Sequence, residues 1–291
     1  MYGLRPRIPL SARYQAWAVV QHLLMPNDWP ANLLHAIGRA PALAVISAAA
    51  RSAAPLGSAS ELRIAFAADF HAGPTTHAHQ LDRAFEAIET SGADLILLGG
   101  DFVGHRPRDV VRLAPGLRRL RARAGVFAVL GNHDNNTDPV LVSEVLGDCG
   151  VRLLVNESVT LPEPFASTRL VGLDDHGTGA PDASAVPRDP GLASILLVHQ
   201  PSGVLDARGL RLDLALAGHT HGGQIALPNG FSPVTPSGAL SRTYLAGEYA
   251  LPEGGTLFVS RGVGASTVPM RWNCPADLLL VSLHGPDAVG S

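Results

Sequence analysis

Hydrophobic periodicity divides the chain into two kinds of pattern. Residues 62–67, Leu-Arg-Ile-Ala-Phe-Ala, alternate with the two-residue period of a strand. Leu81, Ala84, Phe85 and Ile88 recur at helical spacing and predict a helix over 79–89. Residues 94–98 form a short apolar run expected as a buried strand. The pattern then predicts a helix over 109–121 bent near Pro115, a strand over 126–130 and a helix over 139–146. This β–α alternation predicts a layered α/β domain. Further apolar strands are expected at 170–173, 195–198, 212–217, 257–259 and 278–283. Helical patterns thin out between them, which points to a second sheet. No internal repeat is visible.

The first sixty residues read differently. They carry few acidic groups and much alanine, with Arg5, Arg7 and Arg13 at the start. The arginine-rich start resembles the n-region of a signal peptide, but no clear cleavage site follows. Two apolar runs, 16–25 and 40–50, both fall short of the roughly 20 residues of a membrane span. The reading adopted is a pair of helices packed on the domain surface. The alternative is an amphipathic segment resting on a membrane, with Trp17, Leu23, Leu24, Trp29, Leu33 and Leu34 in the lipid. Residues 55–58, Pro-Leu-Gly-Ser, read as a linker. The expected division is an N-terminal segment of residues 1–60 and a main domain of residues 61–286.

Composition changes this picture in a few respects. At 291 residues and 46% hydrophobic, the chain can bury a sizeable core. A net charge of −3 argues against a specific nucleic-acid partner. There is no lysine, and every cation is arginine. Two cysteines, Cys149 and Cys274, provide neither a disulfide framework nor a cysteine-rich zinc site.

Candidate chemistry collects just past the strand ends. The predicted strands run into Asp69-Phe70-His71, Gly100-Asp101, Gly131-Asn132-His133-Asp134, His199 and Gly218-His219-Thr220-His221-Gly222-Gly223-Gln224. Residues two apart in extended backbone face the same side, so His219 and His221 reach one spot. Taken alone, that pair serves equally as hydrogen-bonding loop histidines or as metal ligands. Asp69 could cap a helix and Asp101 could brace a turn. In open α/β sheets, however, ligands gather beyond the carboxyl ends of the strands. Five successive strands ending in metal-capable side chains favour the joint reading.

These five blocks, in this order, resemble the calcineurin-like metallophosphoesterases over residues 61–284. The Gly-His-Thr-His-Gly-Gly-Gln form, with Ser260-Arg261-Gly262-Val263-Gly264 and Pro269-x-Arg271, is similar to a bacterial phosphodiesterase branch. That branch includes YaeI/YkuE-like proteins and some UDP-2,3-diacylglucosamine hydrolases. The resemblance implies a four-layer αββα sandwich, two mixed sheets flanked by helices. It also implies a hydrolase with a binuclear metal centre. Asp69, His71 and His221 would hold the first metal; Asn132, His199 and His219 would hold the second; Asp101 would bridge them. His133 would face the substrate as a catalytic residue rather than a ligand. Asp134 would orient its imidazole or, equally, serve as a turn or helix-start residue.

The implied chemistry is coherent. Two metals ~3.5–4 Å apart can clamp the attacking and leaving oxygens of a phosphoryl displacement. Two divalent cations, two aspartates and a bridging hydroxide leave a small positive charge, matched to a diester monoanion. The donor set suits manganese, iron or zinc. The expected function is a phosphodiesterase or pyrophosphatase acting on a lipid-linked nucleotide. The alternatives are a phosphomonoesterase and a non-catalytic metal-binding scaffold of the same fold. The expected localisation is cytoplasmic with peripheral contact to the inner membrane. Arg261 is read as a phosphate contact, with a structural ion pair as its competitor. His77, His79 and His105 would line the cleft or sit on the surface. Arg118, Arg119, Arg121 and Arg123 would complement a helix end or touch anionic headgroups. The loops 174–190 and 225–238 are expected to overhang the site.

Overall fold

The computed structural model describes residues 12–236 and 238–286. Arg5 and Arg7, and the side chain of Arg13, lie outside that description. In chain order the elements are α1 (Ala12–Leu24), α2 (Trp29–Ala36), β1 (Leu43–Arg51), β2 (Glu61–Ala67), α3 (Ala78–Thr90) and β3 (Leu95–Leu98). A 3-10 helix (Pro107–Leu113) leads into α4 (Ala114–Leu117), followed by β4 (Val126–Ala128), α5 (Asn132–Asn136), α6 (Pro139–Asp148) and β5 (Arg152–Leu153). The second half contributes β6 (Glu157–Thr160), β7 (Thr168–Gly172), β8 (Ala193–Leu197), β9 (Leu214–Ala217), β10 (Gly247–Ala250), β11 (Thr256–Val259) and β12 (Ala276–His284).

The strands form two six-stranded mixed sheets. The first runs β1-β12-β2-β3-β4-β5 and the second β10-β11-β9-β8-β7-β6. The two-residue period explains how they stack. On β2, Leu62, Ile64 and Phe66 face the core between the sheets, while Ala65 and Ala67 face the helical side. On β8, Ile195 and Leu197 face the same inter-sheet core, while Leu196 and Val198 face outward. Strands buried on both faces read as near-continuous apolar runs, as these do. The outer face of the first sheet is covered by α3, α4 and α6, through side chains such as Phe85, Leu117 and Leu146. Over the second sheet the covering layer thins to a 3-10 turn (Pro201–Leu205) and loops carrying Val186, Leu210 and Leu251.

Three expectations are corrected. Residues 40–50 do not form a helix. They supply β1, which pairs in parallel with β12 from Leu43 opposite Ala276 to Arg51 opposite His284. Without β1, the edge of β12 would expose unpaired backbone groups, and pairing outweighs the helical tendency of alanine. The first sheet therefore begins at Leu43, ahead of the boundary expected at residue 60. Second, residues 55–58 are not a free linker. Leu56 is fully buried, and its carbonyl accepts hydrogen bonds from the Ser167 amide at 3.2 Å and the Thr168 hydroxyl at 3.1 Å. Third, residues 109–121 form no continuous helix. Pro115 has no N–H to donate, so it is confined to the first turn of the short α4, preceded by the 3-10 segment.

Candidate metal centre

The candidate ligands sit directly past the ends of five strands. Asp69 and His71 follow β2, Asp101 follows β3, and Asn132 opens α5 after β4. His199 follows β8, and His219 and His221 follow β9. Five of these seven have left-handed backbone: Asp69 (φ 57°), His71 (φ 43°), Asp101 (φ 53°), His219 (φ 70°) and His221 (φ 53°). Each such residue costs on the order of 1 kcal/mol and persists only where its surroundings impose it. Backbone hydrogen bonds impose it here. The Asp69 amide donates to Gly100 O at 2.9 Å, His71 to Asp101 O at 3.0 Å, and Gly218 to His199 O at 2.9 Å. The last of these stitches one ligand loop to the next. Gly131 has to be glycine because a Cβ there would overlap the Asp101 carboxylate.

The seven side chains meet in one place. Asp69 Oδ1 lies 3.5 Å from His221 Nε2 and 4.0 Å from His71 Nε2, and the two imidazole nitrogens are 3.0 Å apart. Across the site, Asn132 Oδ1 is 3.0 Å from His199 Nε2 and 2.9 Å from His219 Nδ1. Asp101 stands between the groups, its Oδ2 3.5 Å from His71 Nε2 and 3.3 Å from His199 Nε2. Its other oxygen accepts from the His133 amide at 2.8 Å. Asp69 in turn accepts from the His219 amide at 2.9 and 3.1 Å. Three groups have the ligand spacing of a metal site: Asp69–His71–His221, Asp101–His199–His219 and His71–Asp101–His133.

Charge balance shows why this cluster fits cations. Burial pushes the Asp69 carboxyl up to about 7, against the charge of His199 and with that of Asp101. Burial and the neighbouring His133 hold His71 well below the ordinary histidine range, and burial with His71 and Arg271 does the same for His221. Burial works against the charge on Asp101, yet His199 and His133 hold its carboxyl well below the usual range. Burial opposes charge on His199 too, but Asp101 holds it well above its ordinary value. Imidazoles and carboxylates packed this closely are a donor set that divalent ions complete.

The remaining expected residues divide. His133 lies beside the cluster, its Nδ1 2.9 Å from Gly104 O and its ring 4.7 Å from that of His71, edge to face. Asp134 does not touch that imidazole. Its carboxylate accepts from the Gly131 amide at 2.9 Å and the Val103 amide at 3.2 Å, which is the helix-start role. Burial and the charge of Asp101 push it up to about 8. Arg261 is likewise placed as the ion-pair reading has it, its guanidinium 3.1 Å from Asp277. His105 is in the cleft, its ring 5.1 Å from that of His133, and burial with His133 lowers it to about 4. His77 stacks on His35 instead, at 4.0 Å, and His79 lies tilted against the same ring at 5.1 Å. Arg119 and Arg123 pair with Glu89 and Asp94 on the surface, and Arg121 caps the Arg118 and Leu120 carbonyls. The 225–238 loop supplies Ile225 and residues 233–236 to the cleft wall. The 174–190 loop binds Asn135, Asn156 and Gln200 instead.

Two participants escaped the sequence reading. Arg271, visible only as part of a motif, donates to His221 Nδ1 at 3.1 Å and to the Arg261, Gly262 and Gly264 carbonyls. Its guanidinium ties the His219–His221 loop to the segment after β11. Tyr14, from α1, places its hydroxyl 2.8 Å from His133 Nδ1. The strand-end pattern that revealed the ligands carries no signal for a helix-borne tyrosine. The cluster opens into a cleft of about 750 Å³ whose apolar lining includes Trp17, Ile225, Pro233, Val234 and Val268.

The family model for calcineurin-like phosphoesterases matches residues 62–223. The chain is 30% identical over 233 residues to the uncharacterized metallophosphoesterase Cj0846 of Campylobacter jejuni, covering 77% of this chain and 60% of that protein. It is 31% identical over 232 residues to the phosphodiesterase YaeI of Escherichia coli, covering 77% of this chain and 83% of YaeI. It is 32% identical over 203 residues to the uncharacterized metallophosphoesterase YkuE of Bacillus subtilis, covering 67% and 70%. Thus the chain spans about 60% of the length of the Campylobacter relative and more of the other two. The match covers every block in which the candidate ligands lie, and the chain belongs to the calcineurin-like phosphoesterase family.

Proposed function

We propose that this metallophosphoesterase hydrolyses phosphodiesters at a binuclear centre. In this reading Asp69, His71 and His221 hold one divalent cation, Asn132, His199 and His219 hold the second, and Asp101 binds both. The observation that carries it is the position of Asp101, whose Oδ2 lies within 3.5 Å of His71 Nε2 and 3.3 Å of His199 Nε2, one histidine from each donor set. When bound, the two cations supply Lewis acidity, lowering the pKa of a water and offsetting the charge of the phosphate. Nitrogen and oxygen donors with only two carboxylates suit manganese, iron or zinc.

The chain's own groups do the rest. With Nδ1 of His133 committed to Gly104 O, its Nε2 is the nitrogen left to deliver a proton to the departing oxygen. Asp134 holds the turn before α5 by its two backbone contacts and so keeps Asn132 and His133 in register. Arg271 fixes the ring of His221 from behind. Among the described residues lining the cleft there is no arginine, so the charge of the phosphate would be offset by the cations. The apolar lining favours a substituent that is itself apolar, as on a lipid-linked nucleotide. Exposed Leu23, Leu24, Trp29 and Leu33 on α1 and α2 suit peripheral contact with membrane lipid. Among the described residues no helix is long and apolar enough to cross a membrane.

The test pairs metal analysis of purified protein with turnover of p-nitrophenyl phosphate, bis(p-nitrophenyl) phosphate and UDP-linked lipids in excess Mn²⁺. Two bound ions and a preference for the diester are expected. Preference for the monoester would reassign the protein as a phosphomonoesterase. A protein holding two ions yet inert towards every ester would be a scaffold.

A further inference from the structure

We infer that Tyr14 is a positioning residue for His133, so that α1, outside the matched residues 62–223, completes the active site. The inference rests on the role given to His133 above. Three polar atoms meet at mutual hydrogen-bond distances: Tyr14 Oη to His133 Nδ1 at 2.8 Å, Tyr14 Oη to Gly104 O at 2.7 Å, and His133 Nδ1 to Gly104 O at 2.9 Å. A carbonyl only accepts, so the tyrosine hydroxyl donates to Gly104 O. The imidazole Nδ1 cannot face the same carbonyl as a second acceptor, so it carries the proton and shares it between Gly104 O and Tyr14 Oη. That proton assignment leaves all three groups satisfied. It leaves Nε2 on the opposite side of the ring, away from both partners.

Packing restricts the ring further. The Tyr14 ring stands edge to face with His133, centroids 5.5 Å apart, and lies 4.6 Å from His105. Tyr14 therefore closes the Gly104–His133 hydrogen bond off from water, which would otherwise compete for both partners. Elsewhere on α1 Gln21 is buried, but Val19, Leu23 and Leu24 are 56, 68 and 64% exposed. The helix thus turns a hydroxyl onto the site histidine while leaving much of its apolar surface in solvent. A role limited to core packing would show the reverse.

A double-mutant cycle tests this, using the metal-loaded full chain. Tyr14→Phe keeps the ring and removes only the hydroxyl. With a diester whose leaving group is an alkoxide, kcat falls about tenfold, against the about 10²–10⁴-fold worth of a general acid, while KM stays within about twofold. With p-nitrophenolate as leaving group, which departs without a proton, the loss is smaller. In a His133→Asn background, Tyr14→Phe changes kcat by less than about twofold. Equal losses in both backgrounds, or equal losses for both leaving groups, overturn the inference and leave the reading of His133 intact. If His133→Asn itself leaves kcat unchanged, that reading fails and this one falls with it. A second readout needs no turnover. In metal-free protein with isotope-labelled histidine, the His133 Nδ1 proton exchanges slowly and Tyr14→Phe speeds its exchange; identical exchange rates overturn the proposal.

Discussion

The two sheets contribute different chemistry to one site. The first, through the loops after β2, β3 and β4, supplies Asp69, Asp101 and Asn132, and with them every candidate oxygen ligand, together with His71. The second, through the loops after β8 and β9, supplies only imidazoles: His199, His219 and His221. Neither sheet alone holds either of the two proposed donor sets, although the His71–Asp101–His133 group lies wholly on the first. The Asp69–His71–His221 group takes two members from the first sheet and one from the second, and the Asp101–His199–His219 group takes one and two. Hence the donor set exists only when the inter-sheet core of Phe66, Leu97, Ile195, Leu197 and their neighbours is packed. Metal affinity and sheet packing are thermodynamically linked.

That contrast can be broken from either side. The largest effect is expected at Asp101: Asp101→Ala abolishes turnover of a chromogenic phosphodiester in excess Mn²⁺, and full retained activity would refute the site. Next comes His133→Asn, which slows turnover by about 10²–10³-fold while metal content, measured by elemental analysis, stays intact. Loss of metal in that variant would make His133 a ligand and add an imidazole to the first sheet's share. Chelation should lower the melting temperature by on the order of 10 °C, because a ligand at a thousand times its Kd contributes ~4 kcal/mol to a domain of this size. Unchanged melting would separate the ions from sheet packing. Arg271→Met removes support from a second-sheet ligand, with about 2–3 kcal/mol lost in denaturant melts and reduced metal content. Arg261→Met, expected to be mildest, costs about 1 kcal/mol, because Asp277 loses the guanidinium but keeps the Ser260 hydroxyl and the residue-261 amide, and leaves KM within about twofold. A large rise in KM would return Arg261 to the substrate.

The candidate ligands are legible because each follows an apolar run and most sit beside a glycine. Gly100 before Asp101 and Gly131 before Asn132 mark a place where one backbone segment crowds against another, and the sequence alone exposes such places. Strand β1 was not legible: Ser47-Ala48-Ala49-Ala50 has no strand signature, and only the open edge of β12, more than two hundred residues later, makes it one. The choice between Arg261 and Arg271 was equally hidden. Both follow the same strand region, but nothing local says that Asp277 lies opposite the first and His221 opposite the second. Asp134 showed the same limit: its neighbour in sequence is His133, while its neighbours in space are two backbone amides. Tyr14 lay outside any motif.

The strand order of the first sheet also constrains when that sheet can be completed. Because β12 is inserted between β1 and β2, the N-terminal strand has no place to dock until the last strand of the chain has emerged. Strands β2 to β5 can pair during synthesis, but β1 must wait for closure over more than two hundred residues. Contacts of that kind are the slow ones in folding. In a nascent or C-terminally truncated chain that lacks β12, β2 would be left as an edge strand and β1 without its partner.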